Sequence, residues 1–327
     1  MSSRSLVIDA HHHWMPPDHL HAVEKFMRGG DAIRRKDGTL SVLRNGVPVH
    51  NMDEALIANV DAQIADMDDA GVDVAVLSLG LWLEWITSLP LARAVNDELA
   101  EIQRRSGGRF IGCAHVPPLA DGAQAELVRA VRDLGLGGVN LNTHVQGKYL
   151  HHPDFRPVLR TIADLDVPVV LHASTNAPVV SSLEGDGTML SRVMDQTALT
   201  VYLISSGLLE ELPALRFIIP HMGGSFFAIR KRIGFGYWKS PLTPHAGALE
   251  RMWFDTAPGV WDPIDIAYCV GNSGARRTVF GTDYPTFQPW MKRAAEVARA
   301  AVLSMEHRDA LMGGNAAELF HLQPVQA

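Results

Sequence analysis

Short, strongly apolar runs alternate with longer helical patterns along most of the chain, and this alternation limits the possible folds more than any other feature. Eight runs are dense in Val, Ile, Leu or Phe, as expected for strands buried on both faces. They span Leu6–Ala10, Val72–Ser78, Arg109–Val116, Gly137–Leu141, Pro168–His172, Arg216–His221, Arg251–Asp255 and Arg277–Asp283. The repeated strand–helix unit predicts an α/β fold, a single (β/α)8 TIM barrel, although an open doubly wound sheet shows the same alternation.

The segments between these runs carry apolar residues at helical spacing and are predicted to be helices. They span Ala55–Ala70, Leu91–Arg105, Ala123–Leu134, Phe155–Leu165, Met189–Glu211 and Pro289–Leu303. Gly71 directly follows the first of them, where glycine commonly ends a helix. A barrel needs about 250 residues plus insertions, so we expect residues 1–327 to form one domain.

The segment of about 19–52 fits neither pattern, because it is polar and rich in glycine. We interpret it as a long insertion after the first strand. It is expected to form either a short hairpin or lid near the functional site, or a mobile surface loop.

Composition and charge narrow the possible functions. The 327 residues are 47% hydrophobic and 20% charged, which is typical of a soluble globular protein. The formal net charge is −7 and no basic stripe stands out, so we expect no nucleic-acid partner. No apolar run approaches the roughly 18 residues of a membrane span, and the N-terminus does not read as a signal peptide. The sequence therefore predicts a cytoplasmic protein without a membrane partner.

Histidine and aspartate residues stand where predicted strands end, which is where parallel barrels place their functional groups. The first run leads into His11, His12 and His13. Because side chains alternate along an extended strand, His11 and His13 are expected on one side and His12 on the other. The fifth run ends in His172 and the eighth in Asp283, and either side chain would be costly to bury without a partner.

The sixth run ends in His221, and Gly223 and Gly224 after it indicate a tight turn with a close backbone approach. Taken singly, these residues also fit ordinary roles, such as an exposed histidine turn or a satisfied core histidine. Taken together, imidazole and carboxylate groups from four strand ends favour zinc, manganese or iron over calcium.

The chain resembles the amidohydrolase superfamily. The resemblance is closest to the branch that contains 2-amino-3-carboxymuconate-6-semialdehyde decarboxylase and the γ-resorcylate and 5-carboxyvanillate decarboxylases. Its motifs here are Ile8–His13, Asp66–Asp73, Pro168–His172, His221–Phe226 and Gly281–Pro285. The resemblance covers nearly the whole chain and is weakest between Met15 and Met52.

The resemblance implies a role for each residue that matches a motif. One divalent metal, with zinc favoured and manganese possible, would be bound by His11, His13, His172 and Asp283. His221 and Asp283 would be catalytic, with His221 orienting or deprotonating a metal-bound water. The resemblance further implies that Arg232 binds a substrate carboxylate, in a neighbouring subunit's site if the protein is a homodimer. Arg44 in the insertion is a second candidate for that contact.

Aromatic residues follow two of the predicted strands. Trp82 and Trp85 come after the second, and Phe287 and Trp290 after the eighth, at the positions where pocket walls are built. Packing between helices would explain them equally well. We predict that Trp82 or Trp290 lines the cavity.

The resemblance favours a metal-dependent, non-oxidative decarboxylase that acts on a small aromatic or unsaturated carboxylic acid. The alternative is a hydrolase of an amide, a lactone or a related bond, which would use a metal-bound hydroxide. A third hypothesis is a barrel that has kept its metal ligands but has no catalytic activity. Ala173 follows His172, where these decarboxylases usually have proline, so the sequence leaves hydrolysis open.

Overall fold

The computed structural model describes residues 5–15, 17–27, 30–174, 187–234, 243–286 and 289–322. Eight parallel strands form the central sheet, in the order in which they occur along the chain. We call them the first to eighth barrel strands: β1 (Ile8–His13), β5 (Val74–Ser78), β6 (Phe110–Ala114), β7 (Gly138–Asn142), β10 (Val169–His172), β11 (Phe217–Ile219), β12 (Met252–Asp255) and β13 (Thr278–Val279). The predicted TIM barrel is therefore confirmed, with strand bounds shifted by a few residues.

Backbone hydrogen bonds join the first barrel strand to the last and connect the two edges of the sheet. The Ala10 amide donates to the carbonyl of Phe280 at 2.8 Å, and the His13 amide donates to that of Tyr284 at 2.7 Å. The Asp283 amide donates to the His11 carbonyl at 2.9 Å. The same bonds bring the chain after the eighth strand beside the histidines of the first.

Helices cover the outside of the barrel between successive strands. Their bounds are α1 (Pro17–Glu24), α2 (Glu54–Ala58), α3 (Val60–Ala70), α4 (Leu89–Arg105), α5 (Ala123–Val128), α6 (Arg156–Leu165), α7 (Gly187–Ser205), α8 (Leu208–Glu211), α9 (Phe226–Ile229), α10 (Pro263–Ser273), α11 (Trp290–Ala300), α12 (Met305–Asp309) and α13 (Asn315–Leu319). Within the part of the chain that the structure describes, none of them is both long and apolar enough to cross a membrane.

Two predicted helices are each divided into two. Asn59 separates α2 from α3, because its side chain caps the second helix by accepting from the Ala62 amide at 3.0 Å. Gly207, with φ 72°, separates α7 from α8. Gly71 ends α3 in the left-handed region at φ 66°, as its position predicts.

The insertion after the first strand forms an antiparallel sheet of three strands, β2 (Asp31–Lys36), β3 (Thr39–Arg44) and β4 (Val47–Asp53). Its turns are Asp37–Gly38 and Asn45–Gly46, in which all four residues have positive φ. Asp-Gly and Asn-Gly pairs favour such hairpin turns, so this signal was present in the sequence. Two more short strands, β8 (His144–Val145) and β9 (Lys148–Tyr149), form a hairpin after the fourth barrel strand.

Side chains alternate between the barrel interior and the helix layer. Val74 and Val76 pack inside, together with Phe320, which follows α13. Ala75 and Leu77 on the same strand belong to the larger core outside the barrel. This alternation fixes which strand-end side chains point into the barrel mouth.

Candidate metal centre

Four buried side chains at the carboxyl ends of the barrel strands form one cluster. His11 and His13 come from the first barrel strand, His172 ends the fifth, and Asp283 follows the eighth. One possible ligand atom from each lies within 4.8 Å of the others. The structure thus brings together the four residues that the resemblance singles out, in an arrangement that can hold a metal ion.

A β-bulge decides which histidines of the first strand reach the cluster. Ile8 and Ala10 pack inside the barrel, so strict alternation would turn His12 inward. The pairing with β5 shifts between Asp9 and His12, and this irregularity restarts the alternation. As a result His11 and His13 face the cluster, whereas His12 bonds to Gln63 of α3 at 3.1 Å.

Two hydrogen bonds orient the histidine rings. Ser78 lies 2.9 Å from Nδ1 of His13 and itself donates to the His12 carbonyl at 3.1 Å, so Nδ1 of His13 is the donor to Ser78. Asp255 Oδ2 accepts from Nδ1 of His11 at 2.7 Å. Both contacts leave Nε2 of the ring for a metal, as buried partners of metal-binding histidines commonly do.

Asp255 also fixes the backbone of the neighbouring turn. Its Oδ1 accepts from the amides of His221 at 2.9 Å and Ala257 at 3.1 Å. The sequence predicts Asp255 at a strand end but indicates no role for it. Its side chain points into the barrel because Trp253, two residues earlier on the same strand, also packs inside the barrel.

The Asp255→Asn protein is expected to bind a divalent metal roughly 10- to 100-fold more weakly, the usual cost of losing such an orienting partner. Asparagine keeps the oxygen that accepts from His221 and Ala257, so the fold should persist. Metal titration checks the affinity, with Asp61→Asn on the exposed side of α3 as the control. Equal affinities in the two variants would show that Asp255 does not orient His11.

The charges within the cluster suit a cation. Burial lowers the pKa of His13, and it lowers that of His172 well below the usual value, so both rings are neutral. Burial would also lower the pKa of His11, but Asp255 and Asp283 raise it well above its ordinary range. Burial would raise the pKa of Asp283, but hydrogen bonds from His11 and His13 hold it well below its usual value. A metal can therefore replace a proton that His11 otherwise carries.

His221 lies at the cluster in a strained turn, with φ 52°. Its Nδ1 is 2.6 Å from the amide nitrogen of Gln196, and its buried Nε2 has no hydrogen-bond partner and lies 3.8 Å from Asp283 Oδ2. Burial lowers the pKa of His221 to about 4, so the ring is neutral at pH 7. The side-chain amide of Gln196 therefore holds Nδ1, and Nε2 is the ring nitrogen that faces the site. The role of His221 as a proton-handling group stays a prediction.

Gly223 and Gly224, which precede α9, allow two close approaches, by the ring of Phe254 on β12 and by helix α7. Gly224 has φ 64°, and a Cβ there would lie 2.3 Å from the carbonyl oxygen of Val193. A Cβ on Gly223 would lie 2.9 Å from the Phe254 ring. The close approach that the sequence predicted is present, and it sets Gln196 beside His221.

The predicted substrate-binding residues lie in different parts of the structure. Trp82 is buried and lines a small cleft with His13 and His172, whereas Trp290 begins α11 with its backbone against Gly259. Arg232 is exposed in the turn after α9. Phe287 lies outside the described residues.

Arg44 pairs with carboxylates of the protein itself. It donates to Asp31 through Nε at 2.9 Å and Nη2 at 3.1 Å, and to Glu84 through Nη2 at 3.2 Å. These contacts favour a role in fixing the insertion sheet to the loop after β5. Binding of substrate by Arg44 remains a prediction.

Two residues beside the cluster were not predicted from the sequence. His50 of β4 lines the same cleft as His13 and lies 3.2 Å from the Thr286 hydroxyl. Arg192 of α7 is buried, its Nη2 donates to the Val49 carbonyl at 3.2 Å, and its Nε has no hydrogen-bond partner. Both depend on the insertion sheet folding over the barrel mouth, which no local pattern reveals.

Comparison with known proteins agrees with this geometry. The family model described as "Amidohydrolase" matches residues 8–322. A 2-amino-3-carboxymuconate-6-semialdehyde decarboxylase of Dictyostelium discoideum is 26% identical, over 98% of this chain and 93% of the relative. A γ-resorcylate decarboxylase of Rhodococcus jostii is 30% identical, over 80% of this chain and 87% of the relative.

A solved structure shares the fold. It is a dihydroxybenzoic acid decarboxylase from Polaromonas sp., with bound manganese and the inhibitor 2-nitroresorcinol. Its TM-score is 0.74 at 22% identity, covering 98% of each chain. The family match over nearly the whole chain, together with the shared barrel and the strand-end cluster, shows that this protein belongs to the amidohydrolase family, in the branch of the 2-amino-3-carboxymuconate-6-semialdehyde and γ-resorcylate decarboxylases.

Proposed function

We propose that the protein is a metal-dependent, non-oxidative decarboxylase of a small aromatic or unsaturated carboxylic acid. One divalent ion is held by His11, His13, His172 and Asp283. The observation that carries the proposal is a buried, incompletely paired arginine, Arg192, beside this cluster. The names of the relatives point to the same reaction.

The four side chains fit a divalent ion. Two neutral imidazoles, a third that gives up its proton, and one carboxylate provide a donor set typical of zinc or manganese. Zinc is our first expectation from the ligand types, and the manganese in the Polaromonas structure makes manganese the second. A bound ion would supply positive charge that orients and stabilises anionic oxygens of the substrate.

Arg192 supports an acidic substrate. Burial lowers the pKa of its guanidinium, and the charges of Asp283 and Glu84 only partly offset this. Among the described residues, Arg192 makes no ion pair with a carboxylate. A buried charge without a partner is costly, whereas a substrate carboxylate offers two oxygens that match the guanidinium.

The proton-handling groups can serve decarboxylation. The reaction breaks a carbon–carboxylate bond, releases carbon dioxide and puts a proton on that carbon. Asp283 is ionised at rest, so it would first take up a proton from water and then deliver it to the carbon. His221 has its unpaired Nε2 toward Asp283 and would hold a substrate oxygen or pass on this proton.

The proposal is tested by measuring carbon dioxide release from the metal-loaded protein. The panel contains 2,6-dihydroxybenzoate, 5-carboxyvanillate and other aromatic or unsaturated carboxylic acids. We expect release from at least one acid, with loss of activity when the metal is chelated. Cleavage of amides or lactones without carbon dioxide release from any acid would replace the proposal with the hydrolase alternative.

Replacing Arg192 should affect acidic ligands specifically. The Arg192→Gln protein is expected to bind 2,6-dihydroxybenzoate about 10-fold more weakly or worse, since a charged hydrogen bond contributes about 1.5–3 kcal/mol. Resorcinol, which lacks the carboxylate, should bind almost equally to both proteins. Arg192→Lys keeps the charge but not the paired donors, so its affinity should fall in between.

Calorimetric titration measures these affinities, and Arg105→Gln on the exposed end of α4 serves as the matched control. A similar loss for resorcinol and for 2,6-dihydroxybenzoate would show that Arg192 does not read the carboxylate.

The proposal also includes the sequence-based predictions for Trp82, for Arg232 and for the cellular location. Trp82 packs against the substrate, and Arg232 reaches a second copy's site in a homodimer. Its exposure leaves that contact available. The proposed setting is the cytoplasm.

A further inference from the structure

A cavity of about 370 Å³ opens beside the metal cluster, in the size range of small-molecule sites. It adjoins the cluster because Asn142, one of its lining residues, pairs in register with His172 on the neighbouring strand. Ser174, two residues beyond His172, also lines it. The cavity is therefore one strand away from His172, although none of the four cluster residues lines it.

Much of the cavity wall is apolar and suits a planar ring. Leu83, Ile86, Leu141 and Val145 line it, together with two consecutive prolines and Leu119 of the loop after β6. Apolar walls with a few polar groups are typical of sites that orient small ligands.

Two buried polar side chains in this wall lack partners. His144 is only 8% exposed, and neither of its ring nitrogens has a hydrogen bond. Asn142 is 7% exposed, and its Oδ1 has none. The nearest carboxylate oxygen to His144 is Asp195 Oδ1, whose distance of 3.9 Å from Nε2 is too long for a hydrogen bond. Such groups are costly to bury unpaired, so a ligand is expected to complete them.

The charges around the cavity exclude a second carboxylate as that ligand. Neither lysine nor arginine occurs among the described residues that line it, and Glu84 does line it. The unpaired Asn142 oxygen accepts a hydrogen bond, and both ring nitrogens of His144 are available for hydrogen bonds. A hydroxyl group matches this set, because it donates and accepts at the same time.

We propose that His144 and Asn142 form a subsite for a hydroxyl group on the substrate ring, at a position away from the carboxylate. The subsite rests on the proposed function, in which the metal and Arg192 hold the acid group. Neighbouring strands are about 4.8 Å apart. We therefore expect a hydroxyl next to the carboxylate to stay near the metal, and one in the 3- or 4-position to reach the strand that carries Asn142.

The test compares the binding of benzoate and of 2-, 3- and 4-hydroxybenzoate to the manganese-loaded protein by calorimetry. We expect 3- or 4-hydroxybenzoate to bind roughly three- to tenfold more tightly than benzoate, the value of one hydrogen bond. His144→Phe should remove this preference, because it keeps a ring against Tyr149 but has no nitrogens. His144→Gln should keep part of it, and His307→Phe on the exposed helix α12 is the control.

Each outcome of this test either supports or overturns the proposed subsite. Equal affinities for benzoate and all three hydroxybenzoates, or no binding of any of them, would overturn the subsite. So would a preference for the 3- or 4-isomer that survives in His144→Phe with normal metal content. A change that affects only 2-hydroxybenzoate would place the hydroxyl at the metal instead. If the preference behaves as expected but no acid releases carbon dioxide, the subsite stands and the decarboxylase proposal fails.

Discussion

The His172→Ala protein is expected to lose most of its divalent metal and, with it, turnover. His172 is the proposed ligand that ends the fifth barrel strand, and its removal leaves only three of the proposed ligands, from the first strand and from the chain after the eighth. Loss of one of four donors from a buried site should lower the affinity by several powers of ten, because open coordination positions must then be filled by water. Elemental analysis of purified protein, paired with a turnover assay, measures both effects.

The control for this experiment is His307→Ala, a histidine that lies exposed on α12. It should keep a full complement of metal. A His172→Ala protein with the same metal content as this control would remove His172 from the ligand set, and the site would have to be assigned again. The identity of the metal is read from the same analysis of the unaltered protein.

The His221→Asn protein is expected to keep its metal while kcat falls roughly 10²- to 10⁴-fold, the usual contribution of one general acid or base. Asparagine is too short to reach the position of Nε2, the atom that faces Asp283. The backbone amide that Asp255 holds is unchanged, so the turn should persist. Kinetics and metal content are measured on the same preparation.

Two results would contradict this role for His221. Near-normal turnover would make it a structural residue of its turn, and loss of metal would make it a ligand. His307→Asn again serves as the control. The Gln196→Leu protein adds a finer test, because removing the amide that holds Nδ1 frees the ring to change its tautomer. We expect it to lower turnover with full metal content.

The sequence predicted the barrel because each strand carries its own signal. Strands buried on both faces must be short and apolar, and helices that cover them must repeat at 3.6 residues. Local sequence patterns also revealed His172 and Asp283, because a polar residue that closes an apolar run is conspicuous. Helix ends were less visible where a single residue decides them, as at Asn59.

Contacts between distant segments could not be predicted. Gln196 and Arg192 carry no local signal, because their importance comes from what lies opposite them. Asp255 closes an apolar run as His172 does, but its contact with His11 joins distant parts of the chain. The insertion was recognised only as irregular, although its Asn-Gly and Asp-Gly turns favour hairpins. Its folding over the barrel mouth brings His50 to the cleft of His13.

The first barrel strand shows most clearly what the sequence determines and what only the tertiary structure determines. Sequence alone determined that alternate histidines, His11 and His13, could share one face, because side chains alternate in extended backbone. Only the tertiary structure decided that this face is the inner one. Ile8 and Ala10 fill the barrel interior, and the bulge before His12 reverses the alternation because the neighbouring strand fixes the pairing. The sequence determines that side chains alternate along a strand, but packing against neighbouring strands determines which set of side chains points inward.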